Sequence, residues 1–375
     1  MPISTIDGPD LAFSAIPAGL ARVLATHAIA VGGDEARVID ISSGTAIAQG
    51  TAASYDSGAD NPVACIMNEG AKRAVSVYNF LVSSPSYSVK AAVLTADTGA
   101  NTISYSASTL LTDATHDTGT WNIAAGLGLG CPVDTDKMFY LFAQEEPGVQ
   151  GEVCGVVITT SGGTAAAGTP AIILDTTLNN TNFVVGVYPL STIAVLVVLD
   201  DGRYFVVSIS GSSLSVGSIQ SSFGGTSAGG GGVVLQGGVG ILPESDGSVA
   251  TFSGGAYVSS GAASQVDNQA KMAALQTRTA VAVGPTALKR VILAGSGTFD
   301  SITDAYTYDA SGNNQGGFAA AMQSDNSELL ILNRHSGSAY ITYLDDIPTA
   351  DPNGVGALGY GYTHSAGGIP GSVLV

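Results

Sequence analysis

The sequence predicts an all-β chain built as a β-propeller, and three observations carry that expectation. Short apolar runs dense in Val and Ile are cut by breaks of two to four turn-forming residues, with no run long enough for an ordinary helix. One stretch, residues 182–220 (NFVVGVYPLSTIAVLVVLDDGRYFVVSISGSSLSVGSIQ), reads as strand, turn, strand, turn, strand, turn, strand. Four antiparallel strands in about 40 residues match one propeller blade. The same unit then recurs along the chain.

The recurrence shows best in the third strand, its turn and the fourth strand. Residues 206–217 read VVSISGSSLSVG, 38–50 VIDISSGTAIAQG and 156–168 VVITTSGGTAAAG. Residues 93–106 (VLTADTGANTISYS) and 291–303 (VILAGSGTFDSIT) follow the same plan. Most spacings are about 50–60 residues, near the period of propeller repeats. The long interval before residue 291 holds a degenerate copy at 257–263, and another copy falls at 340–344. About seven blades result, with six as the alternative because 228–310 is weakly patterned.

Taken in order, residues 1–17 form a lead-in. Its apolar run 11–16 is expected to pair beside the strands at 317–345 and so remove the open edge of the last sheet; the competing reading is a tail or attachment arm. Blades are expected at 18–56, 60–111, 119–174, 182–220, 228–266, 269–310 and 316–346. The glycine run 229–232 is a poor central-strand segment, so the fifth unit is the least secure. QAKMAALQ (269–276) has helix-forming composition, but the period demands a strand there. Small residues at 124–128, 232–234 and 318–321 suit the crowded innermost strands. Residues 18–346 thus form the propeller, and 347–375 a separate β tail or assembly element.

Charge narrows the function. Twelve Lys and Arg stand against 30 Asp and Glu, a net charge of −18. Phosphate backbones and anionic membranes both repel such a surface, so neither nucleic acid nor a membrane is an expected partner. No apolar run approaches the ~20 residues that span a bilayer. The N-terminus has no basic residue before Arg22 and no sustained apolar core, unlike a secretory signal. The three cysteines, Cys65, Cys131 and Cys154, have no CxxC spacing, which gives neither a disulfide framework nor a zinc site.

Catalytic patterns are weak. The four histidines fall in no metal-ligating spacing, and no GxSxG elbow places a serine nucleophile. The acidic pairs Asp134/Asp136, Glu145-Glu146, Asp200-Asp201 and Asp345-Asp346 read as turn residues whose carboxylates satisfy local backbone. Paired carboxylates facing across a cleft would instead support glycoside hydrolysis. THDTGTW (115–121) is one residue short of the Asp-box of sialidase-type propellers, and occurs once. No catalytic residue, metal or cofactor is therefore expected, and the chain is read as a non-enzyme. Binding through the loops between strands remains. The richest loops are 83–87, 112–121, 145–150 and 200–203, which supply Tyr87, His116, Trp121, Glu145, Glu146, Asp200, Asp201 and Arg203. Aromatic rings beside carboxylates and a guanidinium suit a sugar or a protein partner.

The repeats NPVACIMNEGAKRAVSVYNF and YSVKAAVLTADTGANTISYSAS resemble propeller repeats in tail fibres of bacteriophages, especially aquatic ones; ISSGTAIAQG and ISGSSLSVG match best. The ending GVGALGYGYTHSAGGIPGSVLV is similar to the endings of many phage fibre and decoration proteins. The resemblance covers most of 36–345 and the tail. It departs from the family where Asp-Pro and Tyr-Asp positions are replaced. It implies a virion-surface protein made in the host cytoplasm, in several copies beside other virion proteins, that attaches to a host-surface glycan or protein. The alternatives are a decoration protein with no receptor and a sialidase-like carbohydrate-active enzyme.

Overall fold

In the computed structural model, the strands described pair into seven antiparallel sheets. The structure describes residues 4–374 apart from 12, 14–18, 25, 58, 69–71, 84–85, 112–119, 122–128, 147–148, 176–183, 200, 223–232, 236–238, 245, 267–270, 277, 285–286, 295–297, 308–317, 323–327, 336–337, 346–359 and 365–369. Apart from one 3-10 turn at Ser161–Gly163, no helix occurs among them.

Sheet 1 runs Gly19–Leu24, His27–Gly32 and Glu35–Asp40, with Ala48–Gln49 and Ala53–Ser54 both on its outer edge. Sheet 2 runs Ala59–Asn68, Arg73–Ser83 and Ser86–Asp97, edged by Thr102–Tyr105 and Thr109–Leu110. In sheet 3, Thr120–Trp121 and Leu129–Asp134 share the first position, followed by Lys137–Glu146 and Val149–Thr159; Ala166–Ala167 and Ala171–Asp175 form the edge. Sheet 4 is Val184–Ser191, Ala194–Leu199, Tyr204–Ser210 and Ser213–Val216. Sheet 5 is Val233–Leu235, Val239–Pro243, Val249–Ser253 and Ala256–Ser260. Sheet 6 is Lys271–Gln276, Thr279–Val283, Ala287–Leu293 and Phe299–Thr307, so KMAALQ forms a strand despite its helix-forming residues. Sheet 7 takes Phe318–Met322, Glu328–His335 and Ser338–Asp345 from one end of the chain and Ser4–Asp10 from the other.

The first strands of consecutive sheets lie side by side, and that of sheet 7 returns to that of sheet 1. This closed circle of inner strands defines a β-propeller. The closing strand is Ser4–Asp10, not residues 11–16; Ser4 faces Asp345 and Asp7 faces Thr342, with a bulge before Asp10. An outer strand is solvated along its free edge, so it has no need of an apolar run, and it tolerates Gly8-Pro9 at the bulge. Leu11, just past it, is buried.

The sequence repeats have a concrete meaning in the fold. In three of the motifs the first residue accepts a backbone hydrogen bond from the last: Gly50 N–H to Val38 O and Gly217 N–H to Val206 O at 2.8 Å, Ser106 N–H to Val93 O at 2.9 Å. In the third motif Gly168 N–H reaches Val157 O, one residue on. The motif is thus the third strand closed on its fourth by a polar turn.

Apolar side chains fill the spaces between sheets. One cluster joins sheets 1–3 around Tyr78, Tyr140 and Phe142; a second joins sheets 3–5 around Phe139, Tyr188 and Phe205. Gly130 makes room for the buried Tyr140 ring: a Cβ there would meet the ring itself. Cys131 and Cys154 are buried in this core and form no disulfide, and burial raises the Cys131 thiol well above its ordinary value. Cys65 lies in the first strand of sheet 2, opposite Ser76.

Beyond the seven sheets, Tyr360–His364 and Pro370–Leu374 form a hairpin with Gly361 facing Val373. It is not a separate tail. Tyr360–His364 pairs with Val233–Leu235, and the two strands together lie against the first strand of every sheet. The hairpin therefore stands on the propeller axis.

Candidate functional site

Antiparallel connectivity gives the ring two unlike faces. The turns between second and third strands, and the crossings from each sheet to the next, share one face, called here the upper face. The first-to-second and third-to-fourth turns share the lower face. Sequence-derived binding residues are placed by this rule. Tyr87 is the second residue of the third strand of sheet 2, opposite Leu81. Trp121 begins sheet 3, opposite Gln144, and Thr120 faces Glu145. Glu145 and Glu146 end the next strand, and Glu146 faces Val149 across the turn. Asp201 and Arg203 sit in the second-to-third turn of sheet 4. All six are upper-face positions in one arc, sheets 2 to 4. His116 and Asp200 lie outside the described residues.

The sheet 4 turn is the sharpest part of that arc. Asp201 Oδ2 accepts from Arg203 Nε at 2.6 Å, and Asp201 Oδ1 accepts from the Arg203 N–H at 3.0 Å. Gly202 lies between them with φ +81°, a left-handed position that glycine takes without strain. Ser222 Oγ donates to Asp201 O at 2.9 Å. Both charged side chains are about one-third exposed, at 34% and 36%. The guanidinium is oriented, partly open, and paired with its neighbour's carboxylate.

Reasoning from sequence missed a second cluster on this face, at the crossing from sheet 1 to sheet 2. Tyr78 OH donates to Asp56 Oδ2 at 3.0 Å, and Lys90 Nζ lies 3.5 Å from the same oxygen. The Lys90 ammonium also sits 3.1 Å from the centre of the Phe80 ring, a cation–π contact. Tyr55 packs edge-on against Tyr78, its OH donating to Gly33 O at 3.0 Å and lying 2.9 Å from Ser76 Oγ. Burial first, then the Asp56 carboxylate, keeps the Tyr78 hydroxyl protonated far above the usual range. Alternation in RAVSVYNF puts Ser76, Tyr78 and Phe80 on one side, which was legible. Their meeting with Tyr55 and Asp56 depends on how one sheet crosses to the next, and no local pattern encodes it.

The nearest approach to a nucleophile–base–acid trio is on the lower face. Thr26 Oγ1 lies 2.8 Å from His27 Nδ1, and His27 Nε2 lies 3.5 Å from Asp40 Oδ1. His27 is buried. Asp40 is held by Ser42 N–H at 2.8 Å and by Asn101 Nδ2 at 2.9 Å, so this trio reads as a joint between sheets 1 and 2. Among the described residues, no three His, Cys, Asp or Glu side chains gather to hold a metal.

Comparison with known proteins places the fold. No family model matches the chain, and no curated protein matches it. Solved structures do. A 6-phosphogluconolactonase-like protein of Bacteroides fragilis aligns with a TM-score of 0.53 at 12% identity, over 88% of this chain and 95% of the other. The Dos1 propeller aligns at 0.51 and 10% identity, over 88% and 78%. A streptogramin B lyase reaches 0.49 at 9% identity, over 92% and 98%. At these identities the likeness is one of fold: the chain is a β-propeller.

Proposed function

We propose that the protein is a virion-surface adhesin, present in several copies, that holds a host-surface glycan or protein on the upper face of sheets 2 to 4 without transforming it. The observation that carries this reading is the gathering of Tyr87, Trp121, Glu145, Glu146, Asp201 and Arg203, chosen from four separate loops, into one arc of one face. Aromatic and hydrogen-bonding groups spread over a rim favour holding a sugar chain or a protein surface over enclosing a small substrate. The resemblance of the repeats to phage tail-fibre propellers supports the virion setting.

An enzymatic reading rests on the lactonase-like neighbour, whose name denotes a phosphorylated sugar lactone. Arg and Lys side chains give a phosphate its strongest hydrogen bonds. In the arc, Arg203 is engaged by Asp201, and the whole chain is strongly acidic. The binding reading is therefore preferred.

The test is binding of purified protein to host cells and to a glycan array, with Tyr87→Ala and Trp121→Ala as variants, beside an assay of sugar-lactone hydrolysis. Saturable binding lost in both variants supports the adhesin. Lactone turnover above the spontaneous rate, or binding indifferent to both changes, overturns it.

A further inference from the structure

We infer that the 360–374 hairpin is an axial plug: the chain's own occupant of the propeller channel, locking the inner strands together and closing the channel to any ligand. The inference does not depend on the adhesin reading. Its basis is topological. Strand Tyr360–His364 lies against the first strands of sheets 3 to 7, and Pro370–Leu374 against those of sheets 1, 2, 3 and 7. No position except the axis touches all seven first strands at once.

Chain direction agrees. The last strand of the ring from this end, Ser338–Asp345, finishes on the lower face. Tyr360–His364 runs antiparallel to Val233–Leu235, with Tyr360 beside Val234 and Gly361 beside Val233. It therefore climbs from the lower face, the face on which Ser338–Asp345 finishes, towards the upper.

Composition agrees as well. Between Ile347 and Val375 the side chains include one acid, Asp351, one histidine, His364, and no Lys or Arg. A segment this poor in charge enters a narrow, strand-lined channel without stranding an ion away from water. Gly361 and Gly371 let backbones approach closely where seven strands converge. The two ends of the chain then act together: Ser4–Asp10 closes the ring at its periphery and the hairpin fills its centre.

Hydrogen–deuterium exchange on the full chain tests this. Amides of 360–364 and 370–374 should exchange at least about 100-fold more slowly than in an unstructured chain, alongside Val233–Leu235. Exchange at the unstructured rate overturns the plug. Gly361→Trp should abolish protection in the hairpin while the seven sheets keep theirs; unchanged hairpin protection also overturns it. The pair Val233→Cys with Gly361→Cys, facing positions, should oxidise to a disulfide within one chain. Disulfide-linked dimers would show that the hairpin belongs in a neighbouring copy, and would overturn the proposal.

Discussion

A side-chain carbon on Gly50 would run into the backbone carbonyl of Asn101. Gly50 ends the repeat motif of sheet 1, and Asn101 lies in the third-to-fourth turn of sheet 2. The same relation recurs between sheets 3 and 4, where a Cβ on Gly168 would stand 2.7 Å from Ser212 Cβ and 3.0 Å from its carbonyl oxygen. At these two seams the glycine that closes one motif is the surface against which the next sheet's turn is set.

This joint predicts a contrast between glycines. Gly50→Ala should destabilise the protein by about 3 kcal/mol, since backbone must shift to admit the methyl. Gly168→Ala should cost somewhat less. Gly44 has φ +63°, and a Cβ there would have nothing within 4 Å, so Gly44→Ala should cost only about 1 kcal/mol, from backbone conformation alone. Urea unfolding of the three variants checks the order; a Gly44 variant as damaging as Gly50→Ala would refute the joint.

The same seam carries a pH dependence. Partial burial acts to raise the Asp40 carboxyl, but hydrogen bonds from Ser42 and Asn101, with the nearby His27, hold it down at about 2 against an ordinary 3.8. A carboxyl that titrates lower in the folded state stabilises fully above its unfolded value and loses that contribution as pH falls towards its folded one. Wild type should therefore shed about 1 kcal/mol between pH 4 and pH 2 that Asp40→Asn does not, allowing for solvent screening at a partly exposed group. Asn101→Ala should move the transition to higher pH. Chemical denaturation at half-unit pH steps measures both, and parallel curves for wild type and Asp40→Asn would dismiss the mechanism.

At the upper crossing, Tyr78 and Lys90 share one carboxylate oxygen of Asp56. Tyr78→Phe should cost about 1 kcal/mol, the net worth of one buried hydrogen bond. Lys90→Met loses an ion pair and a cation–π contact but retains apolar contact with Phe80, and should cost about as much. Because both act through Asp56, the double variant should depart from additivity by at least about 0.5 kcal/mol. Strict additivity in a double-mutant cycle would show that the contacts are independent.

How much of this was legible beforehand follows from how local each feature is. Turn chemistry was: Asp201 receives its own turn's N–H as a turn aspartate does, and Gly202 and Gly211 take positive φ where Asp-Asp-Gly and Ser-Gly-Ser mark breaks. Strands with a period-two or wholly apolar pattern were legible too, such as Ala194–Leu199, buried along most of its length. The closing strand was not, because hydrophobicity drew attention to residues 11–16, whereas an edge strand such as Ser4–Asp10 is specified by its partner's free hydrogen bonds. The axial hairpin was not, because a glycine-rich neutral segment has the same composition whether it fills a channel or trails into solvent. Asp56 and Tyr78 were missed for a third reason: they meet across a sheet boundary, and neither strand's own alternation registers the other.

The arc itself makes the final prediction, that binding is confined to one face. If the upper loops of sheets 2 to 4 hold the ligand, Trp121→Ala should weaken binding by at least about 30-fold, the scale of an aromatic anchor at the centre of an interface. Arg203→Ala should have a smaller effect, because Asp201 already pairs with the guanidinium and a partly exposed pair contributes little. Ser161→Ala and Thr192→Ala, exposed positions in lower-face turns of sheets 3 and 4, should leave affinity within twofold. The comparison uses the same two sheets from opposite ends, so a general loss of folding would lower all four and is separable by thermal unfolding of each variant. Equal losses from both faces in well-folded variants would remove the arc as the site. A loss confined to Ser161 and Thr192 would move recognition to the lower face, where the Asp40–Asn101 seam lies.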